Sequence, residues 1–196
     1  MSEDIHMTTM MIVGGIAALI IVMMIWIYNS IIANHNRCKR AWSDVITYQR
    51  QKLKVIPQVE EALANYLSHE RDLQTKITAL RTGIDSLSTE SMDTERVMQI
   101  EQISKDVMGR LSLTMEAYPE LKASELSQGL MRELSEQESD ISAAISIFNQ
   151  GVEAFNNGIT MFPHLLVNRM FNKMAPLRPF TDSAAAEEIE FKPNLE

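Results

Sequence analysis

The stretch MMIVGGIAALIIVMMIWIY, from Met10 to Tyr28, lies in a longer segment between Asp4 and Arg37 that has no Asp, Glu, Lys or Arg. As an α-helix it would be about 28 Å long, which is close to the thickness of the hydrocarbon core of a bilayer. Trp26 stands near its end, where aromatic rings favour the lipid headgroups. The sequence therefore predicts a membrane-spanning helix over residues 10–28.

A cleaved signal peptide and a buried core helix both fit this stretch less well than a membrane span. A signal peptide has a basic start and a small-residue cleavage site, whereas this N-terminus is acidic and no A-x-A-like site follows. A buried core helix of this length ordinarily carries polar interruptions, and here there are none. We therefore expect a retained anchor, and Gly14 and Ala18 form a small-xxx-small pair that can seat a second helix. The anchor residues are Met10, Gly14, Ala18, Trp26 and Tyr28.

The charges beside the span predict its orientation. Arg37, Lys39 and Arg40 follow it, and no Lys or Arg precedes it. Because basic residues stay on the cytoplasmic side of a membrane, we expect residues 1–9 outside and the body of the protein in the cytoplasm. These three basic residues are also suited to bind anionic lipid headgroups.

Composition excludes several classes of function. The net charge is −8 and aromatic residues are 6%, which makes nucleic acid an unsuitable partner. A single cysteine, Cys38, excludes an internal disulfide framework. With only 7 Gly and 6 Pro in 196 residues, the chain is not a turn-rich β-sandwich or barrel.

The body of the chain has helical periodicity between a few breakers. Pro57 is expected to break the first soluble helix, and the polar stretch 86–94 is predicted to be a loop. A third helix is predicted over Thr94–Ala117, before Pro119. A fourth should begin near Ser124 and end at Pro163. The apolar stripes recur at helical spacings of 3, 4 or 7 residues. They run through Cys38, Trp42, Val45, Gln49, Lys52 and Ile56; Val59, Leu63, Tyr66, Glu70, Leu73, Ile77, Leu80, Ile84 and Leu87; Val97, Ile100, Val107, Leu111 and Tyr118; and Leu126, Leu130, Leu134, Glu138, Ile141, Ile145, Phe148, Val152, Phe155, Ile159 and Phe162.

Helices with one apolar stripe each can bury it only against one another. We therefore predict an all-α fold: a transmembrane helix followed by an elongated antiparallel bundle of three to four long helices over residues 29–163. Residues 164–196 contain three prolines and are expected to form an irregular tail, partly disordered at its end. Phe171, Phe180 and Phe191 are suited to fold this tail back onto the bundle.

Polar residues on the stripes are the candidates for chemistry. Gln49, Lys52, Glu70 and Glu138 occupy stripe positions. Because a lone buried charge costs several kcal/mol, we expect either that Lys52 pairs with Glu70 or Glu138 or that these residues lie at the hydrated end of the bundle. A metal or proton site on these carboxylates is the alternative, but the body of the chain lacks the Glu-x-x-His motif that di-iron bundles carry on two helices. His69-Glu70 also lacks the second histidine of a zinc protease. No catalytic residue, cofactor or metal is predicted, and Cys38 is interpreted as a stripe residue.

Several short motifs resemble the LemA family of bacterial membrane proteins. The clearest is FNQGVEAFNNGITMFP, Phe148–Pro163, in which Asn149 and Asn156 each follow an aromatic residue. A second is EAYPELKA, Glu116–Ala123. Further matching positions are Tyr28-Asn29, Ala41-Trp42, Ile56-Pro57, Tyr66, His69-Glu70 and Pro179-Phe180.

The resemblance implies a single-pass protein of the bacterial cytoplasmic membrane with an outer N-terminus, a cytoplasmic helical bundle and no enzymatic activity. We expect a scaffold that self-assembles; the alternative is an adaptor or regulator of a membrane-bound HtpX-type protease. Asn149 and Asn156 are expected either to form hydrogen bonds within the bundle or to belong to a docking surface. The structural or docking candidates are Trp42, Pro57, Tyr66, Glu70, Tyr118, Glu138, Asn149, Asn156, Phe162 and Pro163.

Overall fold

The computed structural model describes residues 2–67 and 70–181. Their regular structure is entirely helical, as predicted. The helices are α1 (Ser2–Ala62), α2 (Ala64–Leu67), α3 (Arg71–Asp85), α4 (Thr94–Ala117), α5 (Pro119–Ala123), α6 (Glu125–Thr160), α7 (His164–Val167) and a π-helical turn (Asn168–Asn172). His69, Phe191 and the predicted disorder near the C-terminus lie outside the described residues.

Helix α1 does not break at Pro57, contrary to the sequence-based expectation, and continues to Ala62. An interior proline costs a helix about 3 kcal/mol or more. Here Pro57 lies on the exposed face, whereas Val55, Ile56 and Val59 beside it are almost completely buried. Each such side chain contributes about 1.5–3 kcal/mol on burial, so packing outweighs the lost hydrogen bond.

The described chain divides into two compact units. Within the described residues, the first unit takes in residues 2–38 and 150–177, and the second takes in residues 39–67, 70–149 and 178–181. Helices α1 and α6 each contribute to both. The first unit will be called the anchor unit and the second the bundle unit.

In the bundle unit, helices α3 and α4 are antiparallel neighbours. Gly83 lies against Ile100 near the connecting loop. Farther along, Lys76 pairs with Asp106 at 3.0 Å, and Asp72 pairs with Arg110 at 3.0 Å. Residues earlier in α3 contact residues later in α4, as expected for two antiparallel helices. The loop before α4 ends at Asp93, whose carboxylate accepts a hydrogen bond from the Arg96 amide and caps the helix.

The core of the bundle unit follows most of the predicted stripes. Its fully buried side chains include Trp42, Ile46, Leu73, Ile77, Leu80, Ile84, Val97 and Phe148. Helix α6 begins one residue after the expected cap Ser124, whose hydroxyl accepts a hydrogen bond from the Ser127 amide.

Some stripe predictions were wrong. Leu126 is 60% exposed in the first turn of α6, and Phe162 is 79% exposed because α6 ends at Thr160. Glu70 is the N-cap of α3, and Tyr118 is the extended residue between α4 and α5. The stripe from Val59 to Leu87 is therefore divided among α1, α2 and α3, because α1 ends at Ala62 and α2 covers only Ala64–Leu67.

In the anchor unit, the final part of α6 packs against α1. The Cys38 Sγ lies 3.5 Å from the position that a Cβ on Gly151 would occupy, so the missing side chain lets the helices approach closely. The His35 and Phe155 rings are 5.3 Å apart. Cys38 is fully buried, as its stripe position predicted, and burial raises the pKa of its thiol.

Candidate functional site

Lys52 forms the centre of a polar cluster inside the bundle unit. Its side chain is 1% exposed. The ammonium Nζ donates to Glu138 Oε1 at 2.7 Å and to Ser104 Oγ at 2.8 Å. The Ser104 hydroxyl in turn donates to Glu138 Oε1. Three helices, α1, α4 and α6, are thus joined through one buried charge.

A second carboxylate, Glu101, approaches the same ammonium from α4. Its Oε1 lies 3.5 Å from Lys52 Nζ and accepts a hydrogen bond from the Gln49 amide. The Gln49 Oε1 is buried without a hydrogen-bond partner in the described part of the chain. The cluster therefore has two carboxylates around one ammonium, and one amide oxygen in it is unsatisfied.

The two carboxylates differ in their protonation equilibria. Burial raises the pKa of Glu101, with Lys52 opposing and Glu138 adding to the shift. Burial also opposes ionisation of Glu138, but Lys52 and the Ser104 hydroxyl together lower its pKa below the ordinary value. Lys52 thus forms its ion pair mainly with Glu138, and Glu101 is the carboxyl that takes up a proton more readily.

This arrangement is suited to holding helices in register rather than to binding a ligand. A buried polar group that has one matching set of partners disfavours slipped packings of the same helices. Among the described residues there is no group of three or more His, Cys, Asp or Glu side chains arranged to hold a metal ion. The expected pairing of Lys52 with Glu138 is present, whereas Glu70 does not take part.

Asn149 binds the returning C-terminal segment within the bundle unit. Its Nδ2 donates to the Phe180 carbonyl at 3.0 Å, and its Oδ1 accepts from the Phe180 amide at 2.8 Å. We call such a pair of bonds, from one asparagine amide to both backbone groups of one residue, an asparagine clamp. It holds the Phe180 ring against Trp42 and Phe148, at centroid distances of 6.0 Å and 5.3 Å. Trp42 Nε1 donates to the Ser88 carbonyl at 3.0 Å.

Two further asparagine clamps lie in the anchor unit. Asn156 forms both bonds with Leu177, each at 2.9 Å. Asn168 forms both bonds with Met174, each at 3.0 Å. The amides of Asn149 and Asn156 therefore make hydrogen bonds within the chain, one of the two roles expected for them.

The remaining predicted positions have identifiable local roles. Tyr66 and Tyr118 pack ring against ring, with centroids 4.6 Å apart. Pro119 both follows the end of α4 and opens α5, where a missing amide proton costs nothing. The Phe162–Pro163 peptide is cis and joins α6 to α7.

The predicted anchor segment lies within α1. The helix contains a window of mean hydropathy 2.7 that is long and apolar enough to cross a membrane. Only 6% of that window is buried in the structure. Met10 is 76% exposed and Trp26 67% exposed, and a Cβ on Gly14 would meet nothing within 4 Å.

Sequence reasoning missed three polar groups. Ser104 lies four residues after Ile100 and three before Val107, so the periodicity could have predicted that it is buried. Glu101 is one position away from that stripe, and nothing in the pattern marks it as a partner of Lys52. Asn168 lies on none of the predicted stripes, and its partner is a backbone group, so no pattern in the sequence marks it.

Comparison of the sequence with known proteins gives a family match. Residues 41–192, most of the chain, match the sequence model of the LemA family. Protein LemA of Metamycoplasma hominis is 28% identical over 134 residues, which cover 68% of this chain and 60% of that relative. The chain thus spans less than two thirds of that relative's length. The expected resemblance is confirmed, and the protein belongs to the LemA family.

Proposed function

We propose that the protein is a membrane-anchored helical scaffold that assembles with copies of itself and has no catalytic activity. The observation that carries this proposal is the uncovered apolar window of α1, in a helix that continues without interruption into the bundle unit. An apolar surface of this size is not stable in water, and a bilayer is the environment that covers it at the least free-energy cost.

The charge distribution supports one orientation of the anchor. Arg37, Lys39 and Arg40 are exposed after the span, and the short N-terminal flank carries no basic residue. We therefore place the N-terminus outside and the bundle unit in the cytoplasm of a bacterial cell.

Membrane extraction tests the anchor. The double variant Ile16→Lys/Ile20→Lys puts two charges near the middle of the span, each costing about 2.5–3.5 kcal/mol on insertion. We expect it to leave the membrane pellet on alkaline carbonate extraction, while the wild-type chain stays. The control is Leu113→Lys, which changes a side chain that is 58% exposed on α4. Extraction of the wild-type chain itself would contradict the proposal.

Self-assembly is supported by small residues on the uncovered span. Gly14 and Ala18 are one turn apart and exposed, and close approach at such a pair favours helix association in lipid. We expect chemical crosslinking of the full chain in membranes to give a ladder of multiples of the 22.2 kDa chain. Gly14→Ile should shorten the ladder, and Gly15→Ile on the neighbouring face should leave it unchanged.

The crosslinking experiment also tests the alternative function. A single band at the mass of one chain would contradict self-assembly. Recovery of an HtpX-type membrane protease at comparable stoichiometry would replace the scaffold with an adaptor. The exposed acidic residues between positions 60 and 140 would then be the first ones to substitute.

A further inference from the structure

The end of the anchor unit exposes a second apolar surface beside the span. Residues 161–173, which we call the juxtamembrane segment, comprise the turn after α6, helix α7, the π-helical turn and Lys173. Val167 and Asn168 face inward and are buried. Its exposed large apolar side chains are Met161, Phe162, Leu165, Leu166, Met170 and Phe171.

Two contacts place this segment at the C-terminal end of the span. The Trp26 and His164 rings meet edge to face, with centroids 6.5 Å apart. Phe171 lines an apolar groove together with Ile21, Met24, Ile25 and Tyr28. The segment therefore packs along the last two turns of the predicted membrane helix.

The depth of these contacts matches a bilayer interface. From Ile21 to Tyr28 the helix rises about 10 Å. Amphipathic helices that lie on membranes bury their apolar faces about 5–10 Å below the headgroup boundary. A segment beside residues 21–28 would therefore reach the upper hydrocarbon layer without crossing it.

The charge of the segment fits the same location. Arg169 and Lys173 are exposed among the apolar side chains, and Arg37 is exposed on α1 in the same unit. The juxtamembrane segment contains no acidic residue. Basic side chains with apolar neighbours are the composition that binds anionic lipid surfaces.

We propose that the juxtamembrane segment is a second membrane-binding element, which inserts its apolar side chains into the headgroup region of an anionic bilayer beside the span. Phe162, Leu166 and Met170 enter the lipid, and Arg169 and Lys173 bind lipid phosphates. This inference rests on the proposed membrane anchor, because it takes the span as the reference for depth.

Depth-dependent fluorescence quenching tests the inference with the full chain in nanodiscs of phosphatidylcholine and phosphatidylglycerol. An environment-sensitive fluorophore is attached to a single introduced cysteine, in the variants Phe162→Cys, Leu166→Cys, Ile16→Cys and Asp106→Cys. The wild-type chain is the labelling control, since its one thiol, Cys38, is buried. Lipids carrying a quencher at a shallow or a deep acyl position then report the depth of each label.

The expected pattern separates the two proposals. Labels at 162 and 166 should be quenched more by the shallow quencher, and the label at 16 more by the deep one. The label at 106, an exposed position of α4, should escape both. Quenching at 16 without quenching at 162 and 166 would overturn the juxtamembrane proposal and leave the anchor intact. A label at 16 that escapes quenching would overturn the anchor itself.

Charge reversal gives a second readout that does not depend on labelling apolar sites. In the Leu166→Cys background, Arg169→Glu/Lys173→Glu should reduce shallow quenching when phosphatidylglycerol is present. The matched control Lys105→Glu/Arg132→Glu changes two exposed basic residues in the bundle unit and should leave quenching unchanged. Equal quenching in all of these variants would overturn the role of the basic residues. Protection of the label by protein contact, with quenching by neither lipid, would overturn the proposal in favour of a protein partner.

Discussion

The side chain of Asn149 satisfies both backbone groups of Phe180, at 3.0 Å and 2.8 Å. In a β-sheet, a neighbouring strand would satisfy these two backbone groups. The described part of the chain has no strand, and the Asn149 side chain makes the two hydrogen bonds instead. The Phe180 ring is thereby held on the Trp42 and Phe148 rings. A single amide thus couples the polar and aromatic contacts of the returning segment.

Asn149→Ala should loosen this segment. The substitution leaves a partly buried amide and carbonyl without partners, and such groups cost about 1–3 kcal/mol together with the lost bonds. We expect the free energy of unfolding to fall by about that amount. Urea unfolding can be followed by Trp42 emission in a Trp26→Phe background, since the chain has only 2 Trp. Asn157→Ala, at an exposed position farther along α6, is the control and should change little.

Lys52→Met should destabilise the protein strongly. It removes the ammonium that Glu138 and Glu101 share and leaves two partly buried carboxylates without their counter-charge. Removing one partner of a buried ion pair typically costs about 3–5 kcal/mol. Adding Glu138→Gln and Glu101→Gln should recover much of this loss, because no unpaired charge remains. Failure of the triple variant to recover stability would mean that the shape of Lys52, and not its charge, is what the core requires.

Stability should depend on pH in opposite directions at the two carboxylates. The pKa of Glu138 is lowered on folding, so its contribution is present above the ordinary value near 4.5 and is lost as the pH falls below it. The pKa of Glu101 is raised on folding, so its contribution is present below that value and is lost as the pH rises through the higher folded pKa.

The two glutamine variants separate these effects. Unfolding free energies are measured for both from acid to neutral pH. Glu138→Gln should be less stable than wild type at neutral pH, with the difference shrinking in acid. The free energy of unfolding of Glu101→Gln should increase relative to that of the wild type as the pH rises past about 4.5. Parallel curves for the two variants would contradict this assignment.

Alanine substitutions at two glycines should change the stability of the protein in opposite directions. A Cβ on Gly83 would lie 3.0 Å from Ile100 Cγ1, so Gly83→Ala requires the Ile100 side chain to shift by a few tenths of an ångström. Because Ile100 is only 1% exposed and has little room to move, the substitution should cost about 1–3 kcal/mol. A Cβ on Gly109 would meet nothing within 4 Å. Gly109→Ala, in the interior of α4, should therefore stabilise the protein by up to about 1 kcal/mol through helix propensity alone. Thermal unfolding of the two variants measures both effects.

Periodicity predicted most of the helices because each soluble helix has one buried face. It placed Trp42, Val45, Gln49 and Lys52 inside correctly, including the two polar ones. It failed at Pro57, where burial of the flanking residues outweighs a local helix breaker. A local rule cannot weigh tertiary packing, so a break predicted from one residue fails wherever the flanking side chains are well buried.

The sequence predicted only some of the polar contacts. The sequence predicted that Lys52 pairs with either Glu70 or Glu138, because all three lie on stripes and the charges are opposite, but it did not choose between the two carboxylates. Glu101 reaches the same ammonium from a position beside its stripe, and side-chain length is what permits this. The partners of Asn149 and Asn156 are main-chain groups, which every residue carries, so no residue type at positions 177 or 180 marks them.

The clamps of Asn156 on Leu177 and of Asn168 on Met174 imply an unusual evolutionary tolerance. Because these asparagine amides form their hydrogen bonds with backbone groups, residues of many kinds could occupy positions 174 and 177 without losing a bond. An insertion or deletion between these positions, by contrast, would shift the chain past one clamp or the other. Natural drift in this segment should therefore alter its composition far more freely than its length.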